Sequence, residues 1–242
     1  GKMRVELSIF AKKRFMESLL RRLKYYGVGF GIGTVFVIFF FQNRGCSWTP
    51  SNRVKNAILD RLIVVSDSTK AQMDKKNITY NSIINALNDG DVEFTKSDKS
   101  KKDKLYVIER KDQSFVFSLP DESFISEVFL GDAINGISAT KKGSGTIIRV
   151  PKDENMIYAE EGERIACQQE QLGLISTKKI YERLKSSGRI NFEKSDLSVR
   201  PKPEHYITII NKGDTIGMTM IWYKTKLNIS TFHHSSLELC DR

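Results

Sequence analysis

The chain has 242 residues, 40% of them hydrophobic and 28% charged, with a formal net charge of +10. That apolar share suffices for packed cores and excludes a disordered, low-complexity chain. The basic excess is unevenly placed: residues 1–41 hold eight Lys/Arg and two Glu, a balance of +6, leaving +4 for the rest. A nucleic-acid surface is disfavoured on that distribution.

The tail of residues 1–24 is followed by Tyr25 to Phe41, seventeen residues without a charge. As a helix this run is about 26 Å long, near the lower limit for crossing a bilayer. It ends in Gln42-Asn43-Arg44-Gly45-Cys46, a poor match to the small residues of a cleavage site. The expectation is therefore a retained single-pass transmembrane helix over 25–41, contacting membrane lipid. Lys12, Lys13, Arg14, Arg21, Arg22 and Lys24 precede it. By the positive-inside bias they place the N-terminus in the cytoplasm of a bacterium and the C-terminal domains in the periplasm. Gly27/Gly31 and Gly29/Gly33 form overlapping small-residue pairs, the spacing that lets a transmembrane helix partner approach closely. Residues 42–60 read as a juxtamembrane segment.

The remainder is written twice. Ile78-Thr79, Ile83, Leu87, Gly90, Val92, Phe94 and Lys96-Ser97-Asp98 recur as Ile175-Ser176, Ile180, Leu184, Gly188, Ile190, Phe192 and Lys194-Ser195-Asp196. Self-similarity of this kind sets the architecture. In each copy Thr79 or Ser176 stands at a helix N-cap. The pairs Ile78/Ile83 and Ile175/Ile180 have the spacing of a hydrophobic staple. Gly90 and Gly188 read as helix stops that exploit the cheap positive φ of glycine. Short strands follow around Val92–Phe94, Tyr106–Ile108, Phe115–Phe117 and Phe124–Phe129, and around Ile190–Phe192, Tyr206–Thr208, Ile216–Tyr223 and Leu227–Phe232. Lys111-Asp112 and Lys212-Gly213 supply hairpin turns. Leu62–Val65 and Met156–Tyr158 add a strand upstream of helical stretches Ser68–Asn77 and Glu161–Leu174. The expected fold class is α+β: an N-terminal transmembrane helix, then two tandem repeats, 61–130 and 155–242, each two short helices on a small, mainly antiparallel sheet. Residues 131–154 connect them.

The order of helix, Ile78-Thr79, Ile83, Leu87, Gly90-Asp91-Val92 and Tyr106-Val107-Ile108 resembles a bacterial family of unknown function. That family is related in fold to the barnase/RelE-like toxin ribonucleases. The resemblance covers about half of the chain and rests on packing positions. Members that look catalytic carry a His-Ala pair at the start of the first helix with an Arg nearby. Ser68–Asn77 and Glu161–Leu174 contain no His, and Arg164 is the basic residue that matches the Arg. The resemblance thus implies the fold and speaks against nuclease activity.

Metal-free RNA cleavage needs an acid and a base near neutral pH together with cations for the phosphate. Glu204, His205 and Arg200 are the candidates in this chain. His233-His234 are neighbours on a strand, so their side chains diverge and make a poor metal pair. The twin Lys96-Ser97-Asp98 and Lys194-Ser195-Asp196 read either as ligand contacts or, preferentially, as turn formers. In an oxidising compartment Cys167 and Cys240 can bridge within the second copy; three unpaired thiols, with Cys46, are the alternative. No cofactor and no metal are indicated. The leading expectation is a non-catalytic binding or assembly protein that joins other envelope proteins. An RNA-cleaving enzyme and a sensor binding a small ligand between the copies are the alternatives.

Overall fold

The computed structural model describes residues 22–39, 49–100, 102–153, 156–199, 202–223, 226–238 and 240. Six α-helices and one eleven-stranded mixed sheet lie among them. The chain divides into two compact units, Gly1–Asn52 and Arg53–Arg242.

In the first unit, helix α1 spans residues 22–39 and takes in Arg22 and Lys24. Its uncharged part, Tyr25–Phe39, is about 22 Å long at the helical rise, short of a bilayer core. Four glycines dilute the apolarity of that part. No helix among the described residues is long and apolar enough to cross a membrane. The expected transmembrane anchor over Tyr25–Phe41 is therefore overturned, and the single-pass inner-membrane placement with periplasmic domains falls with it. Phe40 and Phe41 lie outside the described residues.

Helix α2, Pro50–Leu59, leads into the second unit. The first copy then runs β1 (Leu62–Ser66), α3 (Asp67–Lys75), α4 (Tyr80–Asp89), β2 (Asp91–Asp98), β3 (Asp103–Arg110), β4 (Gln113–Pro120) and β5 (Ile125–Leu130). Strand β6, Ser144–Arg149, follows. The second copy repeats the order as β7 (Ile157–Ala159), α5 (Glu163–Leu172), α6 (Thr177–Ser187), β8 (Arg189–Asp196), β9 (Glu204–Asn211), β10 (Asp214–Tyr223) and β11 (Lys226–His233).

Across the sheet the strands lie in the order β2-β3-β4-β5-β1-β6-β8-β9-β10-β11-β7. The two copies thus have the same internal order, with a parallel closing pair in each, β1 with β5 and β7 with β11. The expectation of two separate small sheets is corrected: β6, hidden in the Gly/Lys-rich connector, joins both into one. It pairs antiparallel with β1 on one side and with β8 on the other. Strands β1 and β8 consequently run the same way, whereas β8 corresponds by sequence to β2, which runs opposite to β1. The second copy is therefore turned over relative to the first by a half-turn about the line that crosses the strands.

Side-chain alternation carries this inversion into the cores. Ile63 and Val65 of β1 enter the first core with Ile83, Leu87, Ile108 and Phe117. Leu62 and Val64 enter the second with Ile180, Leu184, Ile207 and Met218. All five residues of β1 are buried, the signature of a strand covered on both faces. A third, small cluster packs Leu105, Val107 and Val116 beneath Ile134 and Ile137 of the connector.

Local rules hold with two corrections. Thr79 caps α4 by accepting from the Ser82 N–H, but Ser176 makes no side-chain cap bond and Ile175 is 71% exposed, so the second staple does not close. Gly90 and Gly188 have φ of −80° and −64°, not positive values. They are glycine for lack of room: a Cβ would stand 2.4 Å from the Ala86 carbonyl oxygen or 2.3 Å from that of Leu184.

Gly145 on β6 is equally confined, its would-be Cβ 2.9 Å from Val64 Cγ1 and 3.1 Å from Phe192 Cε2. Gly145→Val is expected to cost about 2 kcal/mol by overpacking the junction of the copies. Urea unfolding measures this, and a loss below about 0.5 kcal/mol would refute so close an approach.

Candidate functional site

A cleft of about 240 Å³ opens where the two copies meet. The first copy lines it with Ser118, Ser123, Ile125 and Glu127, the connector with Ala139 and Thr140, and the second copy with Ile190, Phe192, Leu197, Pro203 and His205. The walls are chiefly apolar.

His205 comes from the start of β9 and is only 4% exposed. Its Nε2 lies 2.8 Å from Ser123 Oγ, a hydrogen bond across the copies. Its Nδ1 has no partner. Burial pulls its pKa down to about 4, so the ring is neutral at neutral pH. A proton on Nδ1 would be a buried orphan donor, costlier than an orphan lone pair, which places the proton on Nε2. Ser123 Oγ then accepts from Nε2–H and from the Ile125 N–H at 3.0 Å. The hydroxyl hydrogen is left to donate into the cleft.

The loop that presents Ser123 is held from beneath. Arg61 donates to the carbonyl oxygens of Pro120 and Ser123, the latter at 2.8 Å, and its guanidinium lies 5.9 Å from the Trp222 ring centre. Burial lowers the Arg61 pKa to about 10, with Asp121 opposing the shift. Trp222 stacks on Phe124, and Phe124 meets the His205 ring edge-on at 4.9 Å. Glu127 grips the connector, accepting from the Thr140 N–H at 3.0 Å and from its hydroxyl. Burial raises the Glu127 pKa, while the hydrogen bonds from Thr140 and Ser66 resist the rise.

Of the residues named for RNA cleavage, Glu204 and His205 do not come together. His205 faces the interior; Glu204 is its strand neighbour and points to the other face. Arg200 lies outside the described residues. Asp103 and Asp121 line the cleft beside Lys102, and Asp121 pairs with Lys104 at 2.6 Å. His233 bonds Thr219 Oγ1 through Nε2 at 2.8 Å, and His234 accepts from the Ser236 N–H. No group of three His, Cys, Asp or Glu able to hold a metal ion occurs among the described residues.

The twin tripeptides build the sheet. Ser97 Oγ donates to the Glu93 carbonyl oxygen at 2.7 Å and accepts from the Val107 N–H at 3.1 Å. Ser195 does the same with Asn191 at 2.6 Å and Tyr206 at 3.0 Å. Both fill the register shift at which β2 slips on β3 and β8 on β9. Asp98 and Asp196 each accept from the backbone N–H and hydroxyl of the serine two residues on. Lys96 pairs with Glu109 at 2.7 Å and Asp132 at 3.0 Å, which holds its charge; Lys194 lies 5.0 Å from the Tyr206 ring centre. Gly27, Gly29, Gly31 and Gly33 are exposed on α1, with open space where a Cβ would stand. Cys167 and Cys240 form a disulfide.

Sequence reasoning missed Ser123 and Glu127. In the register of the sheet, where Ser97 meets Val107 and Ser195 meets Tyr206, His205 takes the place of the buried Tyr106 of the first copy. The chain matches no protein-family model, no curated protein and no solved structure.

Proposed function

We propose that the chain is a non-catalytic binding protein and that the cleft between its copies holds a small, uncharged, mainly apolar ligand with one hydrogen-bond acceptor. The observation that carries this reading is the His205–Ser123 pair. The imidazole is buried and neutral with an orphaned Nδ1, and no carboxylate orients it, so it lacks the features of a general base. What the pair offers instead is a fixed hydroxyl donor on an apolar wall, a common design of ligand pockets. At about 240 Å³ the cleft suits a molecule of about a dozen non-hydrogen atoms.

Acetophenone and 4-phenylbutan-2-one serve as probes. Titration followed by amide chemical shifts is expected to map both to Ser123, Ile125, Ile190 and His205. Ser123→Ala weakens binding about threefold to tenfold, the value of one neutral hydrogen bond. Ala139→Trp fills the cleft and removes binding. Single-stranded RNA incubated with the full chain stays intact. RNA cleavage abolished by His205→Ala, or probe binding unmoved by both substitutions, would defeat the reading.

A further inference from the structure

We infer that the outer edge of β2 is a docking strand for an extended segment of a partner polypeptide, one with a small residue opposite Val92 and a basic residue opposite Asp91. The duplicated fold contains its own precedent. Strand β8 is the second copy's counterpart of β2, and it is not an edge, because β6 lies on it antiparallel, pairing Gly145 with Ile190 and Thr146 with Arg189. Two backbone bonds fasten the ends of that pairing, Phe192 N–H to the Gly143 carbonyl oxygen at 2.9 Å and Ile147 N–H to that of Gly188 at 3.0 Å. In the first copy β2 ends the sheet.

The consequence is visible in a matched pair of rings. Phe192 is 8% exposed, with Gly145 of β6 packed against it. Phe94 is only half-buried, and the Lys99 ammonium lies 5.1 Å from its ring centre. The carbonyl of Gly90, counterpart of Gly188, accepts from Lys55 Nζ at 3.1 Å. A lysine side chain is a common guard for a strand edge, and a flexible one that can swing away. The charge at this edge has also changed sign. Asp91 stands where Arg189 faces Thr146 Oγ1 at 3.0 Å and pairs with Asp67, and Glu93 replaces Asn191. An incoming strand of β6-like chemistry with a basic residue in place of Thr146 therefore complements the edge in shape, backbone and charge.

The probes are fluorescein-labelled peptides with blocked ends, titrated into the full chain by fluorescence anisotropy. Gly-Ser-Gly-Thr-Ile-Ile-Arg copies residues 143–149. Gly-Ser-Gly-Lys-Ile-Ile-Arg carries the basic exchange. Both are expected to bind, the second about threefold tighter at low salt, with that advantage lost at about 0.5 M salt. N-methylation of the first isoleucine, whose N–H would meet the Gly90 carbonyl, weakens binding at least about tenfold. Methylation of the second, whose N–H points away, leaves it unchanged. Lys55→Ala strengthens binding, and Ala139→Trp does not alter it. Amide shifts fall on β2 and around Lys55 of α2. No binding near 1 mM, equal effects of the two methylations, or shifts confined to β8 or the cleft would overturn the assignment. Self-association of the full chain through β2 in the absence of peptide would overturn it as well, by giving the edge to a second copy.

Discussion

Reduction of the Cys167–Cys240 disulfide is expected to lower the unfolding free energy by about 4 kcal/mol. The two cysteines are 73 residues apart, and closing a loop of that length removes much of the entropy of the unfolded chain. The folded side needs little adjustment, since the Cα atoms sit 5.7 Å apart, within the ordinary range. The bridge ties α5 to the chain end beyond the short helical turn Ser235–Leu237, where Leu237 enters the second core. Nearby, Gln168 of α5 accepts from the Phe232 N–H of β11 at 3.2 Å, so the same helix is pinned to the sheet. Urea unfolding with and without reductant measures the difference, and a Cys167→Ser/Cys240→Ser double variant should reproduce the reduced value. A change below about 1 kcal/mol would mean that the bridge does not restrain the unfolded chain.

Acid is expected to remove about 3 kcal/mol of stability through His205 alone. Its pKa is about 4 in the fold against an ordinary value of 6.5. The unfolded chain therefore takes up the proton first, and folding must expel it. The stabilisation is complete above the ordinary value and is lost progressively as pH falls from 6.5 towards 4. Glu127 has the opposite sign: its raised pKa gives stability that is lost as pH rises through it. The clean measurement is a comparison of the natural chain with His205→Leu, which removes the titrating ring and leaves Glu127 in place. Unfolding free energies at pH 7 and pH 4 should differ by about 3 kcal/mol more in the natural chain. Parallel pH profiles would show that the histidine is hydrated or already paired.

Much of the fold was legible because local signals recur. The strands of both copies, the two hairpin turns and the helices α4 and α6 stand where alternation and spacing put them, although only α4 has its side-chain cap bond. Strand β6 was not legible. Ser144-Gly145-Thr146-Ile147-Ile148-Arg149 sits in a stretch rich in Gly and Lys, and partners on both sides, not its own pattern, make it a strand. The glycines at 90 and 188 were recognised for the right place and the wrong reason, since crowding by a carbonyl leaves no mark distinct from a left-handed turn. The run Tyr25–Phe39 shows how an apolar stretch misleads when the helix that contains it also takes in charged residues. The cleft was least legible. Ser123 and His205 are 82 residues apart and meet only because the second copy is inverted.

A doubled module commonly leaves each half free to drift on its own. Here β1 prevents that, because its odd-numbered side chains line one interior and its even-numbered ones the other. A substitution at Val64 is judged by the second half and one at Val65 by the first, so one short strand answers to two interiors at once.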